Sequence, residues 1–506
     1  MLLPFAYVFY FVKYESTMER NLLMINIKKS HRQVLWDTCL IDEDKTTAKL
    51  VMHHPQKREI CMVNDEIWED RACGYGNIFK DGDIYRMYYL AIQNKVEINT
   101  DSTETAKLYA CYAESTDGIM WKKPNLGIYA PYEGMYDNNI VMDDTYGQLD
   151  NFFVMKDANP LCPPEEKYKA VVRRKTGKPG MADDELWCYV SSDALHFKEG
   201  WLMRNKNAFD SLNTAMWDET AGVYRCWYRG FHDWPGEIVT IGTRDIRYME
   251  SKDFKNWTEE RRIDINSPYD FQMYTNNVMK YYRDSSIFIG LPTRYTERTE
   301  WTDNYEQLCG KENRKIRIKN LEPREGLALT DCMFMTSRDG VTWERFDEAF
   351  LDAGPEQNDN WIYGDAYLSY GIIETESDNC EPELSLYAFE GRWSYRPAKL
   401  RRYTIRLDGF ASYNAPYSGG RLVTKPFTFE GDELEINFRT SAAGGIYVNI
   451  LDEKGEAIEG YTSCEIFGNT VSRKINFEKS LKELNSKVIR LEFIMSDADV
   501  YSFVIN

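Results

Sequence analysis

The chain has 506 residues, 43% of them hydrophobic and 28% charged, a globular composition long enough for two or three cores. Its 62 Lys and Arg face 81 Asp and Glu, a net charge of −19, so the surface repels phosphate backbones and anionic lipid and excludes nucleic acid and membrane as partners. The 11 cysteines are dispersed with no Cys-x-x-Cys pair, which fits reduced thiols in a cytoplasmic protein rather than a disulfide framework or a zinc site.

Residues 1–30 read as an N-terminal extension. The apolar run from Leu2 to Val12 is too short to span a bilayer and has neither a basic flank nor a small-residue cleavage site. Met18 and Met24 precede more ordinary sequence, so the first residues read as an over-long start. VLWDTCLIDED (34–44) reads as a strand that closes a ring of sheets. In HHPQ (53–56) adjacent histidines on a strand point to opposite faces, which argues against a metal site.

From there to residue 409 a single unit recurs. YAESTDGIMW (112–121), YVSSDALHF (189–197), YMESKDFKNW (248–257) and FMTSRDGVTW (334–343) each run from an apolar strand through Ser-x-Asp and a short turn to an aromatic. Ser and Asp side chains accept from turn amides, Gly supplies special backbone angles in two copies, and the aromatic plugs the gap between sheets. A second hairpin precedes each copy, in 74–90, 151–174, 213–230 and 274–295, and a fifth lies in 366–391. Hairpin pairs repeated in this order predict an all-β, five-bladed β-propeller over residues 31–409. After Phe410 the texture shifts to short alternating strands with Gly-rich and Asp-rich turns, predicting a C-terminal β-sandwich over 410–506. The one helical pattern is FEKSLKELN (477–485).

A five-bladed propeller followed by a sandwich resembles the furanosidase superfamily of glycoside hydrolases, the invertase, levanase and arabinanase kind. NIFKDGDIYRMYY resembles their first inner hairpin, and FDSLNTAMWDETAGVYRCWY (209–228) their third-blade segment, with Asp210 standing where the Asp of an Arg-Asp-Pro motif would be. The chain departs from the pattern twice. The blade-one carboxylate would fall near Gly74, with Glu69 and Asp70 the nearest acids, and the blade-four Glu would fall at Tyr274–Asn276, where the chain reads YTN. The family's catalytic set and substrate therefore do not transfer directly.

Topology offers another route to the site. The start of a blade's first strand, the end of its second and the start of its third share one mouth of the channel. Those positions hold Asp150, Asp210 and Asp365 before first strands, Arg173, Arg229, Arg294 and Glu390 at second-strand ends, and Glu185, Asp245 and Asp331 at third-strand starts. Singly, such charges also fit solvated edges or ion pairs between blades. Glycoside hydrolysis needs a carboxylic acid and a second carboxylate. Asp210 is the expected base or transition-state stabiliser, with Asp365 and Asp331 as alternates. Glu390 is the expected acid, its pKa raised by an apolar strand and Trp393. Asp150, Arg173, Arg229, Asp245, Arg294 and Trp361 are expected to bind substrate, with no metal and no cofactor. The expected activity is an exo-acting glycosidase on short oligosaccharides. A non-catalytic carbohydrate-binding propeller is the rival, and the arginines admit an acidic sugar, phosphorolysis or transfer.

Overall fold

The computed structural model describes residues 24–69, 72–93, 107–130, 133–143, 149, 151–175, 184–233, 242–320, 322–391 and 397–506. The expectations placed on residues 1–23, Asp70, Asp150 and Trp393 lie outside the described residues.

Each Ser-x-Asp segment folds as its chemistry requires. Ser115 Oγ accepts from the Gly118 N–H at 2.9 Å, and Asp117 Oδ1 accepts from Ile119 and Met120 at 2.7 and 2.8 Å. The same pattern recurs at Ser191 and Asp193 and at Ser337 and Asp339. The residue after each Asp has positive φ: Gly118 (71°), Ala194 (71°), Phe254 (63°) and Gly340 (79°). Hydrogen bonding thus holds even Ala and Phe in the left-handed region, which on its own costs ~1–2 kcal/mol.

The chain forms four four-stranded antiparallel blades; three of them carry a copy of the repeat, and the copy at 334–343 lies in a separate seven-stranded sheet. The first contains Ala72–Asp81, Ile84–Gln93, Lys107–Ser115 and Ile140–Met142; the second Phe152–Lys156, Tyr168–Arg174, Asp184–Ser191 and Lys198–Asn207; the third Thr214–Asp218, Val223–His232, Thr243–Ser251 and Arg261–Arg262. The last combines Ile373–Thr375, Glu383–Glu390 and Ala398–Arg406 with Gln56–Asn64, a strand from the other end of the chain. First strands of neighbouring blades touch, and Asn77 bridges to Tyr370, so these strands line the axis of a propeller arrangement.

Two expectations need correction here. Instead of five equal blades there are four, and residues 264–351 contribute a seven-stranded sheet. Leu291 and Pro292 split what would be its second strand into Asp284–Gly290 and Thr293–Thr296, because proline has no N–H to give the ladder. The outer half then recruits Gln272–Met273, and Asp264–Ile265 adds in parallel to Thr342–Leu351. The ring-closing strand is Gln56–Asn64, not 34–44. Val34, Leu35, Trp36 and Ile41 are buried in the cores of the C-terminal sheet and its junction instead.

Helix is also misplaced by sequence reasoning. Residues 477–485 hold only a short 3-10 turn, Leu481–Leu484, whereas helices Asp303–Gln307, Lys311–Asn320 and Pro323–Leu327 sit between strands Thr293–Thr296 and Leu329–Ser337. Residues 410–506 are joined by Ile25–Ile27, Gln33–Val34 and Lys49–Met52 in one ten-stranded sheet, where two facing sheets are expected. The long strands Leu434–Asp452 and Ile489–Ile505 pair along their whole length, with a register break between Thr440 and Gly445, and so tie all its strands into one network. Phe427, Phe429, Phe438, Val448 and Phe493 fill its core. Among the described residues no helix is long and apolar enough to cross a membrane, and no disulfide is formed.

Candidate active site

Strand register decides which expected residues share the axial mouth. Arg173 stands opposite Leu186 and Arg229 opposite Ile246, both five residues before the turn serine, whereas Arg294 stands opposite Asp331, six before it. The counterpart of Arg173 and Arg229 in the seven-stranded sheet is therefore Thr293. A slip of one residue sends a side chain to the other face of its strand. Accordingly, Arg294 pairs with Asp331 at 2.5 Å, donates to the Asp347 carbonyl at 2.9 Å and lies over Phe271, so neither it nor Asp331 joins Asp210. The same slip replaces Glu185, which accepts from the Trp187 indole at 2.7 Å, with Asp184. Counting back seven residues from each turn serine would have identified Asp184 and its counterpart Arg244 in the sequence.

Asp210 lies on a loop fixed from below. The Asn151 and Asn213 amides both donate to the Phe209 carbonyl, at 3.0 and 2.9 Å, Asn276 donates to that of Leu212 at 3.1 Å, and Ser211 turns the chain with φ 81°. The Asp210 carboxylate, one-third exposed (33%), meets Arg229 at 2.8 Å. Burial alone would push this carboxyl up. The guanidiniums of Arg229 and Arg173, with Arg324 beyond them, hold it well below the usual carboxylate range. Arg229 is almost fully buried, its guanidinium 5.1 Å from the Tyr274 ring and 5.2 Å from that of Phe231. Its Nε and Nη1 have no hydrogen-bond partner among the described residues and lie against those π faces.

Asp184 completes the group. Burial raises its pKa, the negative charge of Asp210 adds to the rise, and Arg173 Nε at 2.7 Å opposes both. Arg244 stacks 4.5 Å from the Tyr295 ring and gives Nη1 to Gln272 at 2.6 Å. Arg324, delivered by the third helix, lies 5.1 Å from the ring of Tyr363, whose hydroxyl donates to Tyr274 at 2.7 Å. YTN (274–276) thus supplies a tyrosine to the mouth and an asparagine that braces the Asp210 loop, where the resemblance would put a glutamate.

The other expected residues lie apart from this group. Glu390 is bound by Lys57 at 2.6 Å and Arg401 at 3.0 Å. Burial pushes its pKa up, but Arg401 and Lys57 outweigh it, so the expected protonated acid is instead an ion-paired carboxylate. Asp365, pushed up to about 7 by burial against opposing backbone N–H groups, Arg317 and Arg314, shares with Glu390 a cavity of about 110 Å³. Asp245 is fully buried and held by Arg247 at 2.7 Å and His232 at 3.1 Å. Trp361 donates to the Gly354 carbonyl at 2.7 Å with its ring partly exposed. Glu69 is buried beneath Tyr89 and Lys123. His53 and His54 lie outside any strand and line one cleft rather than opposite faces, with His53 Nε2 2.8 Å from Ser412 Oγ and His54 Nδ1 3.1 Å from the Phe350 carbonyl. His232, Asp233 and Asp270 bring ligand-capable atoms within 4.8 Å of one another, but Asp270 is taken by His232 at 2.6 Å and by Arg262 at 3.0 Å.

No family model and no curated protein matches the chain. Among solved structures, an N-acetylgalactosamine deacetylase from F. plautii in complex with blood group B trisaccharide covers 70% of this chain and 94% of its own, at 12% identity and a TM-score of 0.42. A thermostable family-43 glycoside hydrolase covers 69% and 95%, at 12% identity and 0.39. The GH32 beta-fructofuranosidase of Bombyx mori covers 90% and 94%, at 8% identity and 0.38. Several of these similar structures are glycoside hydrolases, all at low similarity, and no residue role passes from them to this chain.

Proposed function

We propose that this protein is a carbohydrate-active enzyme that hydrolyses small glycosides at the mouth of the propeller. The seven-stranded sheet serves as the fifth wall of the ring, and the ten-stranded sheet packs as a sandwich-like accessory domain. Asp210 is the ionised carboxylate, base or transition-state stabiliser, and Asp184 is the proton donor. One observation carries this reading: two carboxylates share one arginine field, and their pKa values are driven in opposite directions, Asp210 down and Asp184 up. Divergent environments of this kind separate acid from base in glycoside hydrolysis. Tyr274, Tyr363 and Tyr295 are buried and support the guanidiniums of Arg229, Arg244 and Arg324 from beneath.

The chemistry follows from the charges. The leaving oxygen takes the Asp184 proton as the glycosidic bond breaks. The positive charge that develops on the sugar ring is met by the Asp210 carboxylate, directly or through a water that it deprotonates. Arg229 keeps Asp210 charged, and Arg173 neutralises the Asp184 carboxylate left behind.

Aryl glycosides test the assignment. Asp210→Asn should lower turnover at least ~10³-fold on every accepted substrate while the fold persists. Asp184→Asn should retain turnover on nitrophenyl leaving groups, which depart without a proton, and lose it on natural glycosides. If Asp210→Asn hydrolyses all of them at the parental rate, the reading fails.

A second reading has its own observation. Among the described residues no ion pair joins Arg244 to a carboxylate, so this stacked guanidinium is the mouth's uncommitted charge. That favours a substrate or co-substrate bearing an anionic group, an acidic sugar or the phosphate of a phosphorolysis. Stimulation of glycoside cleavage by inorganic phosphate, with release of a sugar phosphate, would replace hydrolysis by transfer.

A further inference from the structure

A second cavity lies away from the axial mouth. It is a cleft of about 590 Å³ between the last blade and the ten-stranded sheet, lined by residues that include Arg58, Glu381, Arg406, Arg439, Asn469 and Tyr501. The charge on its walls is unevenly committed. Glu381 accepts from the Thr470 hydroxyl and from the Val471 N–H at 2.9 Å, and Glu383 is held by Arg402 at 3.0 Å and Arg58 at 3.4 Å. Burial lowers the His53 pKa despite Asp499 beside it, so that imidazole is neutral at pH 7.

Arg406 is different. Its Nη1 donates to Asn469 Oδ1 at 2.5 Å, and Nη2 to Asn437 Oδ1 at 2.7 Å and to the Thr470 carbonyl at 3.0 Å, all neutral acceptors. Its Nε is buried without a partner, its guanidinium stacks 4.3 Å from the Tyr501 ring, and among the described residues no ion pair joins it to a carboxylate. Desolvation lowers its pKa against the opposing effects of Tyr501, Glu381 and Asp408. Residue 409 must stay glycine for this arrangement, since a Cβ there would fall 2.2 Å from Arg406 Cγ. On the rim Arg439, 57% exposed, has only a loose ion pair with Asp499 at 3.6 Å. In a chain of net charge −19 this is a built cationic recess.

We propose that this cleft is a second ligand site, distinct from the axial mouth, for a hydroxyl-bearing small molecule with one oxyanion group, a sugar phosphate or a sugar carboxylate. The oxyanion sits between Arg406 and Arg439, where guanidinium forks bind it through charge-assisted hydrogen bonds. The hydroxyls face Gln56, Asn379 and Asn469 along the wall. The ligand would bridge the two halves of the molecule and stabilise their junction.

Calorimetric titration of the full chain with glucose 6-phosphate, glucuronate and neutral glucose tests this. At least one anionic probe should bind one to one and raise Tm, more weakly at higher salt, with glucose inert; which anion binds identifies the source of the oxyanion. Arg439→Gln, a rim change that leaves the fold intact, should weaken binding about tenfold, whereas Asp210→Asn and Arg244→Gln should bind as the parent does. The proposal is overturned if no anion binds at ~10 mM, if glucose binds equally well, if Arg439→Gln has no effect, or if Arg244→Gln abolishes binding and so moves the ligand to the mouth. Unchanged anion binding in a protein that cleaves no glycoside would leave this site standing and remove only the proposed hydrolysis.

Discussion

At the residue scale the account rests on what Arg229 does to Asp210. The guanidinium is buried between rings and ion-pairs Asp210 directly, so removing it takes away the largest of the charges that oppose desolvation. Arg229→Met should therefore raise the Asp210 pKa and move the acidic limb of the kcat/KM profile to higher pH. A limb that stays in place would show that Asp210 is not the group titrating. The residues of this pair were legible in the sequence, because position at a strand start or end is enough to name them. Arg294, Asp331 and Glu185 misled for one reason: a repeat fixes a strand's place in the sheet, but facing depends on parity. The split at Leu291–Pro292 and the turn serines give that parity only when counted residue by residue. Glu390 was misjudged because Arg401 reaches it from the next strand of its own blade, and Lys57 from Gln56–Asn64, a strand brought near only in the closed ring.

At the scale of elements, the Ser-x-Asp turn carries the architecture. Gly118 has φ 71°, and a Cβ there would meet Ile373 Cδ1 at 2.7 Å and Thr375 Cγ2 at 2.9 Å, atoms of the neighbouring last blade. Gly118→Ala should cost ~1–3 kcal/mol, from strain and overpacking together, read as a drop in the denaturant midpoint. A change within ~0.3 kcal/mol would mean the blades are looser than described. This turn is why three blades and the 329–351 hairpin of the seven-stranded sheet were readable from sequence. The helices at 303–327 were not, because KENRKIRIKN carries only two apolar residues to mark a face, and the segment is held instead by Trp301, Tyr305, Leu308 and Leu327. Its contribution to the mouth, Arg324, was missed with it.

For the whole molecule, one carboxylate joins the two halves. Asp408 is fully buried where the last blade passes into the ten-stranded sheet, and it accepts from Arg283 Nε at 2.8 Å, the Tyr281 hydroxyl at 2.7 Å and Ser502 Oγ at 2.6 Å. Burial pushes its pKa up, but Arg283 and Arg32 prevail and hold it low. A folded pKa below the unfolded value of about 3.9 means the stabilisation is complete above that pH and fades as pH falls through it. Asp408→Asn should cost ~3–5 kcal/mol at pH 7, because it leaves buried guanidinium unpaired, and should flatten the acid limb of the stability curve. An unchanged Tm and an unchanged acid transition would remove Asp408 from that role. The sequence reading divides the chain at 409–410. It did not show that the chain's first strands cross back to the ten-stranded sheet while Gln56–Asn64 closes the ring, since pairings that distant leave no local pattern. The central claim concerns the mouth that this frame holds in place, and the pH dependence of kcat/KM on a natural, unactivated glycoside tests it most directly. The parent should show a bell, its lower limb set by Asp210 well below ordinary carboxylates and its upper limb by the raised Asp184, and Asp184→Asn should abolish the upper limb along with most of the rate. A variant that keeps both the parental rate and the parental upper limb would contradict the assignment.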